Sequence, residues 1–291
     1  MSGATSSSQQ PRSSFRSLVG SELFKIRSQT VYRRLALAPV LCLVVYAALC
    51  ALSHGPTRGR VLQGALDVLD PLAFVLQFGL GAPLAVISAR SIAQEYHLGT
   101  VQVLVGRGVG RVRLLLAELA AMGILAGAGL AGGVAVGGVL AMLLVPGLAA
   151  SVHSLPAVFW KDAALDLLAT VDSLTACVLL GAFIAALSRS LSLSVAMSVA
   201  WMPFENLLVG LLGVTAALTN AEGLRAISAF LLAPNLNFLP QALEPWREVP
   251  IFLPTPQADV DATQAVVVTL CYLAIFLGGS ILLTWRRDVA G

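Results

Sequence analysis

The stretch Thr263-Gln-Ala-Val-Val-Val-Thr-Leu-Cys-Tyr-Leu-Ala-Ile-Phe-Leu-Gly-Gly-Ser-Ile-Leu-Leu-Thr284 contains no charged side chain. A helix needs ~20 mainly apolar residues to cross ~30 Å of hydrocarbon, where lipid offers no partner to backbone amides and the helix must satisfy them internally. Five more stretches meet that requirement, approximately Leu35 to Leu52, Pro71 to Ala89, Arg113 to Leu144, Ala163 to Leu187 and Leu191 to Leu212. The third is long enough to tilt or to project from the bilayer, and Asp70 before Pro71 reads as the N-cap and first turn of the second. The expectation is an all-α integral membrane protein with six transmembrane helices.

Composition agrees. Of 291 residues, 57% are hydrophobic and 11% charged, with mean hydropathy +0.86, whereas a soluble domain carries about 25% charged residues. Soluble and disordered classes are excluded, and the net charge of +3 is no signature of nucleic-acid binding. Cys42, Cys50, Cys177 and Cys271 all sit in apolar runs without C-x-x-C spacing, so they read as small hydrophobes.

With both termini in the cytoplasm, only Arg58, Arg60, Lys161, Arg225 and Arg247 of the 18 Lys and Arg fall on the outer side, the sorting that the positive-inside rule favours. The expected location is the inner (plasma) membrane. Residues 1–13 are Ser/Gln-rich and read as disordered. Over 14–34, Phe15, Leu18, Val19, Leu23 and Ile26 recur at helical spacing with Arg16, Ser21, Lys25 and Ser28 elsewhere on the wheel, which predicts an interfacial amphipathic helix on the inner leaflet. Glu22 is out of place on its apolar face; a local pairing and a contact with another element are both open. The outer segment, 213–262, holds Pro234, Pro240, Pro245, Pro250, Pro254 and Pro256 and an apolar run from Leu224 to Ala233 too short to span, predicting a re-entrant or interfacial segment.

Gly127-Ala-Gly-Leu-Ala-Gly132 matches G-x-G-x-x-G but lies inside an apolar helix rather than after a strand, so it reads as packing, with Gly129, Gly133 and Gly137 as a stripe that lets another helix approach. Neither lysine follows a glycine, so no Walker A loop exists. H-E-x-x-H and G-x-S-x-G are absent too, and no metal or catalytic residue is expected. Glu118, Asp166, Asp172 and Glu205 are the intramembrane carboxylates, each costly in lipid and so expected to face helices, water or a partner. Asp172 and Glu205 lie nearest mid-span, and Pro203-Phe-Glu-Asn206 interrupts its helix. Asp172, Glu205 and Asn206 are therefore candidates for a translocation pathway, with interhelical hydrogen bonding as the alternative.

The connection between the second and third spans reads Arg90-Ser-Ile-Ala-Gln-Glu-Tyr-His-Leu-Gly-Thr-Val-Gln-Val-Leu-Val-Gly-Arg-Gly-Val-Gly-Arg-Val-Arg113. It resembles the signature of ABC-2-type transporter permeases, in which an acidic residue precedes Gly-Thr, a leucine-rich turn, a break, an Arg and the third span. Glu95, Gly99, Thr100, Leu104 and Arg111 occupy the matching positions, and Glu22-Leu-Phe-Lys-Ile-Arg27 is similar to that family's interfacial helix. Two departures stand out: Gly106-Arg-Gly-Val-Gly110 replaces the usual proline-containing break, and Glu118 stands where many relatives carry Lys.

The resemblance implies a bacterial exporter subunit whose 90–113 region, including Tyr96, docks as a coupling helix on a separate ATP-binding cassette subunit. ATP and Mg would be bound there and not by this chain. It further implies a second permease copy, as homodimer or heterodimer, with membrane lipids the other partner. Two rivals of different class are a proton-coupled secondary transporter using Asp172 and Glu205, although no internal repeat is evident, and a non-transporting assembly subunit.

Overall fold

The computed structural model describes residues 14–35, 37–53, 61–98, 110–145, 147–188, 190–243 and 255–286, without side-chain detail at 49–53, 61–71 and 154. Gly99, Thr100, Leu104 and the 1–13 segment lie outside the described residues. The helices are α1 (Phe15–Ser28), α2 (Thr30–Leu35), α3 (Leu37–Ser53), α4 (Val61–His97), α5 (Arg111–Leu144), α6 (Leu148–Ser151), α7 (Ala157–Ser188), α8 (Leu191–Thr219), α9 (Glu222–Ser228), α10 (Leu232–Leu243) and α11 (Ala262–Arg286), with a 3₁₀ turn at Val152–Ser154. No strand occurs among the described residues. Among the described residues, six helices are long and apolar enough to cross a membrane, Thr30–Ala48, Leu72–His97, Arg111–Leu144, Ala157–Ser188, Leu191–Thr219 and Ala262–Arg286. The chain is an all-α, multi-pass membrane protein.

Two local readings change. The second spanning helix starts at Val61, so Asp70 and Pro71 lie within it rather than capping it; Val61 to Leu69 is rich in good helix formers and extends it toward the N-terminus. The run from Leu224 to Ala233 is not one helix: it breaks between α9 and α10, which meet at 78°. Counting that bent pair as a span would make seven.

Helices α4 and α7 form the centre, each 67% buried over its most apolar window against 12% for the first span and 17% for α8 and α11. Their close contact depends on small residues. A Cβ at Gly181 would overlap the Ala85 carbonyl, one at Gly81 would press on Cys177 Sγ, and Ser88 Oγ donates to the Val178 carbonyl at 2.8 Å. On the other flank of α4, Gly129, Gly133 and Gly137 of α5 face Leu80, Leu76 and Leu72 in turn. The order runs oppositely in the two helices, so they are antiparallel, and each leucine fills the space where a side chain on α5 would stand. Without a hydrophobic driving force between helices in lipid, such contact is what holds them.

Helix α1 opens on Ser14, whose hydroxyl accepts from the Ser17 amide. Leu18, Glu22 and Ile26 are buried, and the helix packs against α5. Part of the apolar stripe expected to lie on the leaflet thus faces the protein.

Candidate functional site

The most unusual chemistry of the described residues lies where α1 crosses the facing ends of α4 and α5. Lys25 of α1 extends its ammonium to Glu22 Oε2 at 2.8 Å, one turn away, to Glu95 Oε1 of α4 at 2.8 Å and to Glu118 Oε1 of α5 at 3.6 Å. The first two are charge-assisted hydrogen bonds; the third is beyond hydrogen-bond reach and acts through the field. All three carboxylates are buried, Glu118 at 2% exposure, Glu22 at 5% and Glu95 at 7%.

One carboxylate oxygen from each lies within 4.8 Å of those of the other two, a donor set of the kind that holds a hard cation. Here the ammonium stands among them and supplies the positive charge from within the chain. Burial alone would lower the Lys25 pKa. The fields of Glu118, Glu95 and Glu22 outweigh that desolvation and hold it well above the ordinary lysine value. Lys25 is therefore a fixed cation at any physiological pH.

A small cavity beside the cluster is lined by Ile92, Glu95, Tyr96, Arg111, Leu115 and Glu118, among others, together with Thr284 of α11. Tyr96 Oη and Thr284 Oγ1 are 3.4 Å apart, at the limit of a hydrogen bond. Of the residues singled out in the sequence, Glu22 and Lys25 of α1 are thus gathered with Glu95 and Tyr96 at the end of α4 and Arg111 at the start of α5. Glu118 joins them. In the sequence it stands out as an intramembrane acid and a departure from the resemblance, and no local pattern pairs it with Lys25.

The intramembrane candidates are arranged differently. Glu205 on α8, 4% exposed, accepts the Ala233 backbone N–H at 2.5 Å, so its carboxylate caps the first turn of α10 across the α9–α10 bend. Nearby, Asn235 Nδ2 donates to the Ala229 and Leu231 carbonyls, and Tyr272 of α11 donates to the Phe230 carbonyl, so the bend is held from three helices. Asn206 follows on α8, half-buried. Asp172 lies elsewhere, on α7 facing Thr269 of α11. An apolar cavity of about 440 Å³ between α4, α5, α6 and α7 has Asp166 and Thr170 in its wall; neither Glu205 nor Asp172 lines it.

No protein-family model matches this chain, and no curated protein matches it significantly.

Proposed function

We propose that the chain is the membrane-spanning permease subunit of an ATP-driven ABC exporter of the ABC-2 type, working with a second permease copy and a separate ATP-binding subunit that carries ATP and Mg. The observation that carries this reading is the Lys25 cluster. Glu95, the acidic residue of the coupling signature, is tied through Lys25 to the N-terminal helix and to Glu118 of the next span. The helices on either side of the connection that resembles a coupling element, α4 and α5, are therefore tied to each other and to α1 by buried charge. A push on that connection by a closing ATPase would move α1, α4 and α5 together.

In this reading both termini face the cytoplasm, α1 lies at the inner leaflet, and α9–α10 dips into the membrane from the outer side without crossing. The engagement of Glu205 with α10 favours a structural role over proton transfer paired with Asp172, and so favours the exporter over a proton-coupled carrier. Because the chain has no phosphate-binding loop, the purified chain should hydrolyse no ATP and its complex with the ATP-binding subunit should. Hydrolysis by the isolated chain, or a complex lacking any nucleotide-binding partner, would refute the assignment.

A further inference from the structure

With Leu18, Glu22 and Ile26 turned inward, the opposite face of α1 is formed by Arg16, Gly20, Phe24 and Arg27, spaced by four, four and three residues along one side of the helix. All four are exposed, Phe24 at 71%. The one acid of the helix, Glu22, is taken up by Lys25, so the outward charge is purely positive. Exposed Arg33 and Arg34 follow in α2, at the foot of the first span. Above them the surface continues as exposed Leu37, Val40, Leu41, Val44 and Val45. In a multi-pass protein that apolar continuation meets lipid, which puts Arg33 and Arg34 at the depth of the headgroups.

We infer that this face is a binding surface for anionic phospholipid: the guanidinium groups of Arg16, Arg27, Arg33 and Arg34 hold phosphate and headgroup oxygens while the Phe24 ring enters the acyl boundary. Guanidinium groups suit phosphate because they present paired donors in one plane, and an exposed aromatic flanked by cations is the pattern of a helix lying in an anionic interface. The inference needs only that the chain spans a membrane; it stands whether or not the exporter reading does. It adds lipid selectivity to the general expectation that α1 lies at a leaflet.

The test uses the full chain in nanodiscs of equal parts phosphatidylglycerol and phosphatidylcholine, with the lipids that remain bound after detergent extraction counted by mass spectrometry. Wild type should be enriched in phosphatidylglycerol. Replacing Arg16, Arg27, Arg33 and Arg34 by Gln should remove that enrichment, by roughly fivefold for each arginine that contacts the leaflet, and Phe24→Ser should reduce it. The matching Lys replacements keep charge and should retain most of it, which separates lost attraction from misfolding. Equal retention of both lipids by wild type, or undiminished enrichment in the Gln variant, would overturn the inference. So would displacement of the bound lipid by inorganic phosphate, which would make free phosphate the ligand, or a Gln variant that keeps its lipids but loses an acidic protein partner.

Discussion

Replacing Lys25 by Met keeps the apolar stem and removes the ammonium, leaving Glu22, Glu95 and Glu118 within 4.8 Å of one another and each at most 7% exposed. Removing one partner of a buried ion pair costs ~3–5 kcal/mol because the remaining charge has no compensation. Three carboxylates share this ammonium, which puts the loss at the upper end. At roughly 2–4 °C per kcal/mol for a chain of this size, unfolding should move down by on the order of 10 °C. The assay is thermal unfolding of the full chain in detergent, followed by tryptophan fluorescence. A second substitution supplies the sign. In wild type, Glu118→Gln keeps an amide oxygen facing Lys25, 3.6 Å away in the native pair, and should cost ~1 kcal/mol; in the Lys25→Met background it relieves crowding among acids that have lost their counter-charge and should raise stability. A Lys25→Met variant as stable as wild type, or a Glu118→Gln effect of the same sign in both backgrounds, would refute the reasoning, because coupled neighbours must show a non-additive cycle.

Three further outcomes follow from the same geometry. Lys25 is held above its ordinary value of 10.5, so its contribution to stability is complete below that value and lost only as pH rises through the higher folded value; between neutrality and about pH 10, peptide mapping of a Lys161→Arg protein should find Lys25 unacylated by amine reagents until the chain is unfolded. Glu205→Leu leaves the Ala233 N–H without its acceptor and should cost ~1–3 kcal/mol in thermal unfolding, whereas Glu205→Gln retains a carbonyl oxygen and should cost less. Gly181→Ala forces a methyl onto the Ala85 carbonyl and should lose ~1–3 kcal/mol, while Gly132→Ala, where an added Cβ meets nothing within 4 Å, should be neutral or slightly stabilising in the same measurement.

The spans were legible because a charge-free run such as Thr263–Thr284 has one stable solution in lipid, and the Gly129-Gly133-Gly137 stripe was legible because small residues at i, i+4 share a face. Glu22 was visible as a misfit on the apolar side of α1, since a carboxylate there demands an explanation. Its setting was not visible: the Lys25–Glu95 contact joins residues 70 apart in sequence, and no local period encodes which helix ends meet. Two clues pointed toward Glu118, namely an acid where the resemblance has a lysine and a chain with only two lysines, one of them close to Glu22. Pro203-Phe-Glu-Asn206 marked Glu205 as special, yet its partner is a main-chain amide on α10, which side-chain patterns do not reveal. Gly181 carries no signal in the sequence, because a lone glycine in an apolar helix is ordinary until the facing backbone is known.

The central claim is that the Lys25–Glu95 pair carries force between the coupling connection and the membrane helices. The most direct measurement is ATP hydrolysis by the assembled complex of permease and ATP-binding subunit for wild type, Glu95→Lys, Lys25→Glu and the double swap. The single substitutions change the cluster charge, while the double variant keeps one ammonium among three carboxylates with the two ends exchanged. The account predicts that permease-dependent hydrolysis falls in both single variants and recovers in the double. Single variants that assemble and hydrolyse like wild type, or a double variant no better than either single, would contradict it.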